Sequence, residues 1–148
     1  MTDKQTDTLF STPLGEVPSF VFDAAVANVF SNMISRSVPG YETVTAMSGV
    51  IANRFSKTGT TLYDLGCSLG ATSFAMAQAM AAHCKVVAVD NSAAMIERLR
   101  EQSHANGLAV EAVCADVMDV DLVNASVVAL NYTLQFVPLA QRLSLIHI

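Results

Sequence analysis

The sequence has no tryptophan, and only 14% of its 148 residues are charged. So little charge excludes an intrinsically disordered chain, which combines low hydrophobicity with high charge density. The three cysteines, Cys67, Cys84 and Cys114, are odd in number and form no Cys-x-x-Cys pair. A disulfide framework and a cysteine-based zinc site are thereby excluded, and no metal is expected. Only eight residues are basic, scattered from Lys4 to Arg142, against 13 acidic ones, for a net charge of −5. Phosphate neutralisation needs clustered Lys and Arg, so no direct nucleic-acid partner is expected.

A membrane-spanning run is also missing. The uncharged stretches 65–84 and 122–141 are broken by Ser68, Thr72, Ser73, Gln78 and His83, and by Asn124, Asn131, Gln135 and Pro138. A spanning helix takes about 20 predominantly apolar residues, and neither stretch qualifies. The opening, with Asp3, Lys4 and Asp7 before any apolar run, does not fit a secretory signal. The expectation is a cytoplasmic protein with no membrane partner.

What the chain does have is apolar surface: 52% hydrophobic residues and a mean hydropathy of +0.43. Its length suits one domain able to bury a core unaided. Residues 1–19, with Pro13, Gly15 and Pro18, read as an irregular arm, and 20–148 as a single domain. Ala24, Val26, Ala27, Phe30, Met33 and Ile34 form a helical stripe that stops at Ser37-Val-Pro-Gly40. A second helix is expected over 41–55, with Val44, Met47, Val50, Ile51 and Phe55 on its inner face.

After Gly59 the pattern changes to strands alternating with helices. Strands are expected at 60–64, 85–90, 109–114 and 125–130, and helices at 71–82, 93–105 and beyond Pro138. Ser92 suits the N-cap of the helix at 93–105 and Gly107 its close. Such alternation means right-handed βαβ units on a parallel sheet, a Rossmann-like α/β fold. Ligands of such sheets sit outside the carboxyl ends of the strands, where strand order reverses. Those ends carry Asp64, Asp90, Asp116 and Asn131, polar residues on otherwise apolar strands.

The first constellation is Asp64-Leu-Gly66-Cys67-Ser68-Leu-Gly70. Gly66 permits a tight turn with close backbone approach to a ligand, and the loop amides are expected to be free to donate. An ordinary βα turn is the alternative. The spacing matches neither G-x-G-x-x-G nor a phosphate loop ending in Gly-Lys-Ser/Thr, which disfavours a pyrophosphate and a triphosphate. A nucleoside with a small non-nucleoside part remains.

At the next strand end, Asp90-Asn91 can accept both hydroxyls of a ribose. Asp90 could instead cap the following helix, but Ser92 already offers that cap, so the ribose role is preferred. Asp116 can accept an adenine amino hydrogen with Val117 against the ring; a solvated loop with Asp119 and Asp121 is the alternative. Asn131, with Tyr132 and Thr133, ends strand four where a reactive group would lie. Cys67 reads as a backbone contributor rather than a nucleophile, since no histidine adjoins it. Tyr41 either packs in the core or reaches over the pocket.

These strand-end residues resemble a class I S-adenosylmethionine-dependent methyltransferase fold. Longer strings narrow the resemblance: Ser37-Val-Pro-Gly-Tyr41, Tyr63-Asp-Leu-Gly-Cys-Ser-Leu-Gly-Ala71, Val89-Asp-Asn-Ser92, Ala94-Met-Ile-Glu-Arg98 and Leu130-Asn-Tyr-Thr-Leu-Gln-Phe136, with Asp7-Thr-Leu-Phe10 at the start. They are similar to the carboxy-S-adenosyl-methionine synthase family, over the chain to about Arg142. The resemblance implies conversion of S-adenosylmethionine and prephenate to carboxy-S-adenosylmethionine and phenylpyruvate, for modification of wobble uridine in tRNA by a partner enzyme. It implies a homodimer and assigns Tyr41, Gly66, Cys67, Ser68, Asp90, Asn91, Asp116, Val117 and Asn131 to the sulfonium nucleoside. An ordinary methyltransferase and an inactive nucleoside-binding fragment are the alternatives.

The resemblance also implies a further stretch, about two-thirds as long as this chain. That stretch would supply the remaining strands of a seven-stranded sheet and an arginine for the product's new carboxylate. The chain is therefore expected to be truncated, its apolar tail over 143–148 to be foreign to the family, and its fourth strand and last helix to lack cover.

Overall fold

The alternation of strands and helices places four strands side by side, all parallel, in the order β3-β2-β1-β4. The computed structural model describes residues 22–146. Along the chain these form α1 (Ala24–Ser37), α2 (Tyr41–Phe55), β1 (Thr61–Leu65), α3 (Ala71–Ala79), β2 (Lys85–Asp90), α4 (Ala93–Ala105), β3 (Val110–Cys114), β4 (Ala125–Ala129) and α5 (Leu139–Ile146). One-turn 3-10 helices at Val117–Asp119 and Leu134–Phe136 flank β4. The arm expected over residues 1–19 lies outside the described residues.

The strand alternation assigns side chains to two faces. Leu62 of β1 and Val86 of β2 bury against Ala52 of α2 and Met76 of α3. Tyr63, Leu65 and Val89 point the other way, into a cluster with Val137 and Leu145. Residues 143–146 of the apolar tail are thus part of α5, and Leu145 is in the core. Ile96 and Leu99 of α4 pack with Ala88 and Cys67 under the start of the glycine loop. Fully burying a Leu, Ile, Val or Met among these contributes about 1.5–3 kcal/mol. The Tyr63 hydroxyl bridges to Val123, donating to its carbonyl and accepting from its amide at 3.1 Å each, which pins β1 to the approach to β4.

Helix starts follow the cap chemistry. Asp23 accepts the Val26 amide at 2.9 Å at the head of α1, and Ser92 accepts the Met95 amide at 3.3 Å at the head of α4. The Ser92 hydroxyl also donates to the Phe22 carbonyl, fastening the entry of α1 to the end of β2. Helix α3 ends at Ala79, three residues short of the expected boundary, because α2 takes over its end: Asn53 donates to the Ala79 carbonyl and Ser56 accepts the Ala81 amide, both at 2.8 Å.

The inner face expected for α2 is wrong. Val44, Met47, Val50, Ile51 and Phe55 are 37% to 57% exposed, whereas Gly49 and Ala52 are buried. The helix packs through its small residues: a Cβ at Gly49 would stand 2.9 Å from the Ala75 carbonyl oxygen of α3. Backbone proximity, not the size of the apolar stripe, selected the face. Ile51→Glu is therefore expected to shift stability by no more than about 0.5 kcal/mol, and Ala52→Glu to unfold the α2–α3 contact at a cost above about 3 kcal/mol. Thermal melts of the two variants compare these directly.

On the β4 side the apolar surface is open. Val128 of β4 is exposed, as are Leu139, Leu143 and Ile146 of α5. This agrees with the expectation that β4 and its helix lack cover, and an exposed patch of this kind marks an interaction surface or an aggregation hazard.

Candidate functional site

Because the chain steps from β1 to β2 to β3 and then returns to β4 on the far side of β1, the order reverses between β1 and β4. A cavity of about 450 Å³ opens at this carboxyl edge. All nine residues singled out from the sequence line it: Tyr41, Gly66, Cys67, Ser68, Asp90, Asn91, Asp116, Val117 and Asn131.

The β1–α3 loop forms its floor. Gly66 has φ +80° and Ser68, without a glycine's freedom, φ +48°. The loop amides are not free, contrary to expectation. Gly66 and Cys67 both donate to the Val89 carbonyl, at 2.8 and 2.9 Å, and Ser68 donates to the Asp90 carboxylate at 2.9 Å. The loop is thus stitched to the end of β2. Buried polar backbone must find partners, and these bonds supply them inside the protein. Cys67 is buried, and desolvation beside Asp64 and Asp90 pushes its thiol far above the ordinary range. It is no thiolate nucleophile at neutral pH.

Asp90 is a hub rather than a helix cap. One carboxylate oxygen accepts the Ser68 amide and the other the Ser92 amide, each at 2.9 Å, while Ser92 caps α4. A carboxylate offers about four lone-pair sites, so both oxygens retain capacity for a diol in the cavity. Asp116 does cap, accepting the Met118 amide at 2.9 Å, and lines the cavity as well. Half-buried Val117 and Met118 give an apolar wall beside it.

At the β4 end, the Asn131 amide donates to Ser48 of α2 at 2.9 Å and to Thr72 of α3 at 3.1 Å. Thr133 donates to the Leu65 carbonyl at 2.9 Å, directly over Gly66. Tyr41, at the first turn of α2, sets its ring 5.9 Å from that of Tyr132, at an interplanar angle of 34°. Tyr41 thus reaches the pocket, and burial with Asp64 nearby raises its phenol pKa.

Thr72 carries no signal in the sequence, and Asp64, one of the polar strand ends, has no ligand role assigned from it; both line the cavity. Asp64 belongs to the interior of β1 and is 2% exposed, yet it lines the cavity. Its carboxylate accepts the Ser73 hydroxyl at 2.6 Å. Burial lifts its pKa to about 6, against the Ser73 bond, with Asp90 adding to the rise. The signal for it was a carboxylate flanked by Tyr63 and Leu65 in an apolar strand, a costly placement without a task. Phe30, Met33 and Ile34 of α1 also line the cavity, so the α1 stripe serves the pocket as well as the core.

Residues 62–147 match the family described as "Methyltransferase domain". The chain belongs to the methyltransferase-domain family. A structure from Methanococcus maripaludis, described as a candidate S-adenosyl-L-methionine-dependent methyltransferase, superposes with a TM-score of 0.69 at 23% identity, over 89% of this chain and 61% of its own. That likeness shows the fold, the Rossmann-like class I arrangement expected above. Proteins named carboxy-S-adenosyl-L-methionine synthase are similar over nearly the whole chain. That of Trichlorobacter lovleyi is 52% identical over 97% of this chain, that of Citrifermentans bemidjiense 47% over 97%, and that of Pseudomonas putida KT2440 49% over 97%. The chain spans only about 60% of the length of these relatives, 61%, 60% and 61% in turn.

Proposed function

We propose that this chain is the nucleoside-binding part of a carboxy-S-adenosyl-L-methionine synthase, acting on S-adenosylmethionine and prephenate. The observation that carries the reading is the convergence of all nine residues, taken from separate stretches of sequence, on one cavity at the switch point. Relatives bearing that name at 47–52% identity support it. Within the cavity, Asp90 would hold the ribose diol, Asp116 and Val117 the adenine, and the Gly66–Ser68 loop the methionine end.

The reaction balances without an outside oxidant. Prephenate aromatises to phenylpyruvate as its ring carboxylate leaves as carbon dioxide and its ring hydroxyl departs. The sulfonium methyl gives up a proton, which leaves with that hydroxyl as water, and the resulting carbanion bonds to the carbon dioxide. Water must be kept from both reactive species. The apolar side chains of α1 and Val137 in the cavity lining serve that exclusion.

Among the described residues the lining holds Asp64, Asp90 and Asp116 but no Lys, Arg or His. That half suits a cation; a dianionic acid and a new carboxylate call for positive charge from the part of the relatives this chain does not span. Cytoplasmic location, a homodimer in the complete protein, and supply of product to a tRNA wobble-uridine enzyme are part of the same proposal. The fold family would equally accommodate ordinary methyl transfer.

The discriminating experiment incubates the chain, and a fusion carrying the C-terminal portion of the Trichlorobacter lovleyi relative, with S-adenosylmethionine and prephenate. A nucleoside heavier by one carbon dioxide, with phenylpyruvate, is the expected product of the fusion. A folded fusion that binds S-adenosylmethionine and makes neither product contradicts the reading. Asp90→Ala is expected to lower nucleoside affinity at least about tenfold, since it removes a charge-assisted pair and unties the Ser68 amide. Titration calorimetry reads it.

A further inference from the structure

We propose that Tyr132, paired with Tyr41 and backed by Asp64, forms a cation-selecting wall at the β1–β4 end of the cavity. It would favour a sulfonium over the neutral thioether that remains when the sulfonium loses its substituent. The inference rests on the S-adenosylmethionine reading above and assigns the source of its charge selectivity.

Position comes first. Neighbouring strands lie about 4.8 Å apart, so the strand ends form a ruler across the cavity. In the order β3-β2-β1-β4, the proposed adenine residues follow β3 and the proposed ribose residue ends β2. The sulfur of the nucleoside is bonded to the ribose 5′ carbon, on the side away from adenine. That direction leads over β1 to β4, where Asp64, Tyr41 and Tyr132 line the cavity.

Chemistry comes second. A trialkyl sulfonium has no N–H or O–H to donate, so it is recognised by negative charge and by the faces of aromatic rings. Both are present. Asp64 is buried at this end, and the two tyrosine rings stand 5.9 Å apart. No Lys, Arg or His among the described residues competes within the lining.

Backbone geometry points the same way. Tyr132 has φ +57°, a left-handed conformation that bulky side chains rarely adopt and that Asn or Gly would accept readily. Its neighbours hold it there, Asn131 through Ser48 and Thr72 and Thr133 through the Leu65 carbonyl. Strain maintained at a cavity wall points to a task for the ring.

The test titrates the chain and its variants with S-adenosylmethionine and, separately, with S-adenosylhomocysteine, its neutral thioether counterpart. Tyr132→Phe keeps the ring and is expected to keep the preference for the cation. Tyr132→Asn suits the left-handed backbone, so its melting temperature should equal or exceed the parent's, while the preference falls about three- to tenfold through weaker binding of the cation alone. Tyr41→Leu, which alters no strained position, is expected to lower the preference in the same direction. Equal weakening of both nucleosides, or no change in either variant, overturns the charge-selecting role and leaves the nucleoside site standing. A folded parent that binds neither nucleoside overturns both readings.

Discussion

Replacing Gly66 with alanine is expected to abolish nucleoside binding and to remove much of the chain's stability. Two independent costs meet at this position. Gly66 sits at φ +80°, where an L side chain costs roughly 1–2 kcal/mol. Its added Cβ would also stand 2.2 Å from the Thr133 hydroxyl oxygen and 2.4 Å from the Thr133 methyl carbon. Thr133 cannot simply turn away, because its hydroxyl donates to the Leu65 carbonyl. Overpacking of this kind costs a further 1–3 kcal/mol or so. The combined loss, about 2–5 kcal/mol, is a large fraction of an ordinary domain's stability. Gly66→Ala,Thr133→Ala should recover a measurable part by removing the two nearest atoms, although the Cβ of residue 133 stays 2.8 Å away, and chemical denaturation of the single and double variants measures it. Full stability in the single variant would contradict the packing described here.

Asp64→Asn is expected to act in the opposite direction on stability, and in a pH-dependent way. The folded carboxyl titrates at about 6, above its unfolded value of 3.8, because burial disfavours the charge. The folded protein therefore holds this proton more tightly than the unfolded chain. The group's stabilising contribution is complete below pH 3.8 and is lost as pH rises through 6. Above that, ionised Asp64 carries a cost of about 3 kcal/mol. The amide, which can still accept the Ser73 hydroxyl, avoids it. Asp64→Asn should be more stable than the parent by about 2–3 kcal/mol at pH 7.5 and indistinguishable from it near pH 3.5. Denaturation at the two pH values tests the sign. A variant less stable than the parent at pH 7.5 would show that the charge is held by partners stronger than Ser73. Retaining a destabilising charge beside the cavity fits a group kept for its ligand at the expense of the fold.

Strand ends were legible in the sequence because charge is conspicuous on apolar strands. Asp90, Asp116 and Asn131 stand out for that reason, and the alternating topology brings them to one edge. The head of α4 was legible because Ser92 is a strong cap. Helix α2 misled because its stripe of Val44, Met47, Ile51 and Phe55 obeys helical spacing, yet the contact surface is Gly49 and Ala52. Nothing in a single sequence distinguishes small residues that permit backbone contact from small residues that fill space. The loop amides were misjudged for a related reason: the Val89 carbonyl and the Asp90 carboxylate that engage them are more than 20 residues away. Thr72 and the strained backbone of Tyr132 depend on the same long-range closure.

The small molecule carried by freshly purified protein tests the central claim most directly. Denaturing the chain and weighing what is released by mass spectrometry asks the cavity what it holds. The account predicts S-adenosylmethionine or its carboxylated derivative in near-stoichiometric amount, lost in Gly66→Ala. Folded protein that releases no adenosyl compound, and takes up none on addition of S-adenosylmethionine, would contradict it.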